Sequence, residues 1–135
     1  MKKWFKESSP ILAISRIVLA FSWIYQGAVP KVICRSPGEI QLLEYVIRNN
    51  ELACAMVVWM GYGEIVFGAF LLVTRRGSVF LLNVIALSAL LVYVAVFEPE
   101  LLILPFNPLI LNVSLIGMSL IAYIELKKNT GFAKR

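Results

Sequence analysis

The sequence predicts an all-α membrane protein: a four-transmembrane-helix bundle with both termini cytoplasmic and an amphipathic outer segment between the first two helices. Three observations carry this expectation. Apolar residues make up 60% of the 135-residue chain, against about 45–50% in soluble domains, and mean hydropathy is +0.83. They gather in four blocks, each close to the ~20 residues that a helix needs to cross the hydrocarbon of a bilayer. The cations flank those blocks unevenly. If the spans alternate, Lys2, Lys3, Lys6, Arg75, Arg76, Lys127, Lys128, Lys134 and Arg135 fall on one side. Only Lys31, Arg35 and Arg48 fall on the other. The positive-inside rule makes the first side cytoplasmic. The expected location is a cell membrane, crossed several times, with the bacterial cytoplasmic membrane the natural setting. The net charge of +5 is then a property of membrane flanks, and nucleic acid is not expected as a partner. No block alternates with period two, which disfavours a β-barrel.

One domain is expected over residues 1–135, with spans at about 11–29, 52–74, 79–97 and 104–125. Span 1 opens at Pro10, a good first-turn residue, with Ser8 and Ser9 before it as caps. Its basic start resembles a secretory signal, but Arg16 interrupts the apolar stretch and no small-x-small site follows. We therefore expect a retained span, ending near Pro30-Lys31. After the turn signal Pro37-Gly38, Ile40, Leu43, Val46 and Ile47 recur at helical spacing among Glu39, Gln41, Glu44 and Arg48. That pattern fits a short amphipathic helix on the outer membrane face, with a loop folded over the bundle as the alternative. Span 2 leads into the tight connection Thr74-Arg75-Arg76-Gly77-Ser78, which predicts antiparallel neighbours in spans 2 and 3. Span 3 stops at Glu98-Pro99-Glu100. Asn107 and Pro108 have the chemistry of a helix cap and first turn for span 4.

Two charges fall inside apolar spans, Arg16 in the first and Glu64 in the second. A charge near the bilayer centre costs roughly 2.5–3.5 kcal/mol on insertion scales, so such groups pair, face the interior or do chemistry. At 1.5 Å per residue, Arg16 lies about 9 Å and Glu64 about 15 Å from the inner ends of their spans. An Arg16–Glu64 bridge is within reach, Glu125 competes for Arg16, and Arg16 can also snorkel to the cytoplasm. Gly61 and Gly68 share a face with Glu64, which lets another helix approach there. Arg16, Trp23, Gln26, Lys31, Glu64, Asn83, Asn107 and Asn112 form the candidate polar cluster, as a ligand pocket or as a structural lock. The aromatics Trp23, Tyr25, Trp59 and Tyr62 belong to the interfacial belt or to a pocket for a flat lipophile.

Other chemistry is poorly represented. With no His and two Cys, no metal site is expected. Cys34 and Cys54 lie near the outer face and could bond in an oxidising compartment or remain separate thiols, but a C-x-x-C dithiol is absent. There is no phosphate-binding glycine loop.

The segments Ser15-Arg16-Ile17 and Trp23-Ile24-Tyr25-Gln26-Gly27-Ala28-Val29-Pro30-Lys31 resemble the DoxX-like family of small membrane proteins. Gly61-x-x-Glu64-x-x-x-Gly68 and Pro105-Phe106-Asn107-Pro108 ahead of Asn112 extend the resemblance over nearly the whole chain. It implies a four-helix membrane domain. The wider family includes a subunit of a thiosulfate:quinone oxidoreductase and members linked to oxidative-stress complexes. Gln26 stands where relatives carry other polar residues such as His or Glu, which weakens a proton-transfer role there. The leading expectation is an accessory or binding subunit with a polar intramembrane pocket, in contact with lipid and with a membrane partner or further copies of itself. A quinone or lipid is the expected cofactor class, if any. The alternatives are a quinone-linked redox component and a small transporter working as an oligomer.

Overall fold

The computed structural model describes residues 9–33 and 36–132, with side chains as far as Asn129. Its helices are α1 (Pro10–Gly27), continued by a π-helical turn (Ala28–Ile33), then α2 (Pro37–Ile47), α3 (Asn50–Val73) and α4 (Gly77–Phe97). A 3-10 turn (Pro99–Ile103) leads to α5 (Pro108–Phe132). Four stretches are long and apolar enough to cross a membrane: Pro10–Ile33, Asn50–Val73, Gly77–Phe97 and Pro108–Asn129.

Local chemistry sets the helix ends. Ser9 caps α1 by accepting the Leu12 amide at 3.2 Å, and Asn49 caps α3 by accepting the Leu52 amide at 3.2 Å. Asn107 caps α5: its Oδ1 accepts the Ile110 amide at 3.0 Å and its Nδ2 donates to the Leu104 carbonyl at 2.9 Å. Such caps satisfy first-turn amides that have no intrahelical partner. The prolines at 105 and 108 hold residues 104–107 out of the helix, although that stretch is apolar. At the other end α5 runs on past Glu125 through the basic residues Lys127 and Lys128.

Span 1 continues beyond Pro30, where the sequence predicts its end. Pro30 has no amide hydrogen, and its ring crowds the carbonyl four residues back. The chain responds by widening into the π turn, a local bulge that re-aims the side chains after it.

Hydrogen bonds join the ends of several elements. The Ser9 hydroxyl donates to Glu125 at 2.8 Å. Arg16 Nη2 donates to the buried Thr74 carbonyl at the negative C-terminal end of α3. Both described chain ends and the Thr74-Arg75-Arg76 turn therefore lie at one end of the bundle. α2 and the turn Pro99–Ile103 lie at the other.

The packing order corrects one expectation. α1 packs along α3 and α5, and α5 packs along α4, so the spatial order is α3–α1–α5–α4. α3 and α4 are joined by a short turn but make no extended contact. Their loop fixes only the point where they meet, and from there they splay. Leu12, Leu19, Leu71, Phe80, Leu87, Leu115, Ala122 and Leu126 fill the core.

Candidate functional site

Two helices meet backbone to backbone at the base of the site. A Cβ added to Gly61 would lie 2.7 Å from the Gly27 carbonyl oxygen and 2.8 Å from Lys31 Cβ. One added to Gly68 would lie 2.9 Å from the Ala20 carbonyl and 3.0 Å from Trp23 Cβ. Only hydrogen fits at these positions, and the close approach brings α1 and its π turn against the face of α3 that carries Glu64. The widened turn points Lys31 inward. Its side chain is 6% exposed and forms a hydrogen-bonded ion pair with Glu64.

The α2 helix roofs this pair. Glu39 Oε2 lies 3.8 Å from Lys31 Nζ, and Glu39 Oε1 accepts from Gln26 Nε2 at 3.4 Å. Further along α2, Tyr93 of α4 donates its hydroxyl to the Leu42 carbonyl. Glu98, at the end of α4, accepts from the Tyr45 hydroxyl at 2.7 Å and from Gln41 at 3.1 Å. The hydrogen bond to Glu98 holds the Tyr45 phenol above its ordinary pKa. These contacts tie α2 to α1 and its π turn on one side and to α4 on the other.

Beneath the roof is a cavity of about 290 Å³. Its polar lining is Ser22, Trp23, Gln26, Lys31, Glu39, Glu64 and Asn112; the rest is apolar, including Met60, Leu87, Leu90, Val94, Leu111 and Leu115. Two buried polar atoms of that lining, Glu64 Oε2 and Asn112 Nδ2, have no hydrogen-bond partner among the described residues. Buried polar groups are nearly always bonded, so Glu64 and Asn112 each bring an unsatisfied polar atom to the wall of a mostly apolar space. A neighbouring recess of about 520 Å³ shares Gln26, Pro108 and Leu111 with the cavity, and Asn107 lines it.

The floor is a chain of hydrogen bonds across three helices. Trp23 Nε1 donates to Asn83 Oδ1 at 2.9 Å, Asn83 Nδ2 donates to Ser119 Oγ at 2.7 Å, and Ser119 donates to the Leu115 carbonyl at 2.9 Å. Asn83 and Ser119 are fully buried. The Trp23 ring also meets Phe67 edge-on at 5.2 Å, a favoured aromatic geometry.

The structure thus gathers Trp23, Gln26, Lys31, Glu64 and Asn112 around one cavity, with Asn83 behind Trp23. Asn107 lines the adjoining recess and serves α5 as its cap. Arg16 is at the opposite end of the bundle and does not bridge to Glu64. The reason is reach: the Thr74 carbonyl lies close to the guanidinium, whereas Glu64 lies further along and takes Lys31. Glu125 bonds to Ser9 and Lys128. Cys34 lies outside the described residues. Cys54 is half-buried, with its thiol 3.7 Å from Asn50 Oδ1. Glu39 and the α4 wall of Leu87, Leu90 and Val94 are site residues that sequence reasoning missed. Glu39 carried one signal, a carboxylate in the first turn of a helix begun by Pro37-Gly38.

A model of the DoxX-like family matches residues 20–120. The chain belongs to that family. The stretch matched in this DoxX-like chain contains all the lining residues of the cavity and leaves out Arg16. No curated protein and no solved structure matches the chain. Family and helices together give a multi-pass membrane protein.

Proposed function

We propose that this DoxX-like protein is an accessory or binding subunit that holds a small lipophile in its intramembrane cavity. One observation carries the reading: a largely apolar cavity lined by Glu64 and Asn112, each of which has a buried side-chain atom without a hydrogen-bond partner among the described residues. A few convergent polar groups in an apolar pocket are the usual form of a small-molecule site. In this reading both termini and Arg75-Arg76 face the cytoplasm, in keeping with the positive-inside rule. α2 lies along the outer face with Tyr45 and Val46 exposed. The surrounding bilayer, and a membrane partner or further copies of the chain, complete its setting. The test is extraction of the purified protein. A small lipophile should accompany the wild-type chain and be depleted when Leu90→Trp fills the cavity wall. Equal recovery from both would remove the proposal.

A quinone-linked redox component is the second reading. It is favoured because an amide on Asn112 and a carboxylate on Glu64 in the cavity wall match the carbonyl of a quinone and the hydroxyl of a quinol. Failure of a short-chain quinone to bind the detergent-solubilised protein, together with unchanged respiration in a deletion strain, would discard it.

A further inference from the structure

Two concave spaces share a wall at the α2 end of the bundle. Gln26, Pro108 and Leu111 line both the cavity and the recess beside it. The cavity measures about 290 Å³, the small end of the roughly 300–1,000 Å³ usual for ligand sites. A chain-bearing molecule whose head fills it must send the rest elsewhere. The recess, at about 520 Å³, is larger than the cavity and begins at the cavity's own wall.

The two spaces differ in chemistry. The cavity wall holds Lys31, Glu39, Glu64 and Asn112. Asn112 is 5% exposed, and its buried amide nitrogen has no partner among the described residues. In the recess, the polar groups other than Gln26 are engaged at the start of α5. Asn107 donates to the Leu104 carbonyl and accepts the Ile110 amide, and the Ser114 hydroxyl donates to the Ile110 carbonyl at 2.8 Å. What the recess offers a ligand is the apolar surface of Pro105, Phe106, Pro108, Ile110 and Leu111. Polarity therefore falls from one space to the next.

Gln26 is the adjustable part of the shared wall. Pro108 is held by its ring and by the capped first turn of α5. Gln26 is long and unbranched. Its hydrogen bond to Glu39, at 3.4 Å, exceeds the about 2.7–3.2 Å of an ordinary N–H···O bond.

We infer that cavity and recess are two chambers of one site, and that its ligand is a single-chain amphiphile. The compact polar head lies in the cavity, and the chain passes Gln26 into the recess. This names the class of lipophile and rests on the cavity being a lipophile site.

The experiment uses the full chain in nanodiscs with two photoactivatable hexadecanols. One carries a diazirine beside the hydroxyl and the other at the chain end. Peptide mass spectrometry locates the labels. The head probe should label the α4 wall at Leu87, Leu90 and Val94. The chain-end probe should label 105–114. Ile110 is 63% exposed, so bulk lipid chains also reach the recess, and the dose dependence separates the two sources. Labels from one bound ligand saturate at the same probe fraction in both chambers, whereas bulk contact rises in proportion to dose. Leu90→Trp should abolish both saturable labels together. Gln26→Trp should keep the head label and move the chain-end label to the gap between α3 and α4. Thermal unfolding reports that each variant is folded, and the wild-type dose series decides the matter without them. A wild-type chain-end label confined to the gap between α3 and α4 would overturn the two-chamber site and leave the lipophile cavity standing. So would a recess label that never saturates, or one unchanged in folded Gln26→Trp. If the head probe does not label the cavity wall, the cavity reading falls as well.

Discussion

The glycine seam between α1 and α3 makes a quantitative prediction at Gly61. A methyl group there would stand 2.7 Å from the Gly27 carbonyl oxygen, 2.8 Å from Lys31 Cβ and 3.0 Å from Val32 Cγ2. Ordinary contact begins near 3.4 Å, so the end of α1 and the π turn must withdraw by roughly 0.7 Å to admit it. Two of the three obstacles are fixed by the backbone, and no flexible side-chain end is available to move instead. Overpacking of this kind typically costs about 1–3 kcal/mol. Gly63 lies two residues away on the same helix and has nothing within 4 Å of its added Cβ. Gly63→Ala gains only the helix propensity, about 0.5–1 kcal/mol. The propensity gain is common to both substitutions, so Gly61→Ala should be less stable than Gly63→Ala by about 1–3 kcal/mol. Reversible unfolding in mixed dodecyl sulfate and dodecyl maltoside micelles measures the difference. Equal stability of the two alanine variants would refute the close approach and, with it, the means by which Lys31 reaches Glu64.

Three further outcomes follow from the same contacts. In a double-mutant cycle, Lys31→Met with Glu64→Gln should show a coupling of about 0.5–3 kcal/mol, while Arg16→Met with Glu64→Gln should show almost none; the reverse pattern would restore the Arg16 bridge. Trp23→Phe leaves Asn83 Oδ1 buried without its donor, a loss of about 1–3 kcal/mol on unfolding, and adding Asn83→Leu should recover part of it. An additive double mutant would contradict the hydrogen-bonded floor. Asn107→Ala should cost about 1 kcal/mol and Asn107→Asp much less, because the aspartate still accepts the Ile110 amide; hydrogen exchange over the first turn of α5 checks this.

The fold was legible where its causes are local or periodic. Four long apolar stretches announce four membrane-crossing helices, because backbone groups in lipid must be satisfied within the helix. The start of α5 was readable because Asn107 and Pro108 act within one turn. Misreadings arise where one element is judged against another. The Arg75-Arg76 turn predicts neighbouring helices, but a short loop constrains only the ends it joins, and α3 and α4 part beyond it. Lys31 reads from sequence both as a flanking cation at the end of a helix and as a member of the polar cluster, but not as the partner of Glu64. Pro30 marks the end of regular α-helix, yet nothing in the sequence says that the chain continues as a π turn and swings Lys31 inward. Arg16 and Glu64 looked like partners because both are charged and intramembrane. Each found something nearer, one a helix-end carbonyl and the other that relocated lysine. Much of the cavity's polar lining is legible as a polar cluster, Trp23, Gln26, Lys31, Glu64 and Asn112, but its apolar α4 wall and its shape are not, since they depend on the space left by the splay of two helices.

That splay also governs how any occupant arrives. Met60 on α3 and Leu90 on α4 line the cavity and are each 46% exposed, on helices long and apolar enough to cross a membrane. Under the proposed function, a molecule entering between them would come from the lipid, already concentrated there by partitioning, and not from bulk water. Its apparent dissociation constant should therefore scale with the amount of bilayer present. Affinities should be compared as mole fractions in the membrane, in which tail length largely cancels and the head group alone ranks the ligands.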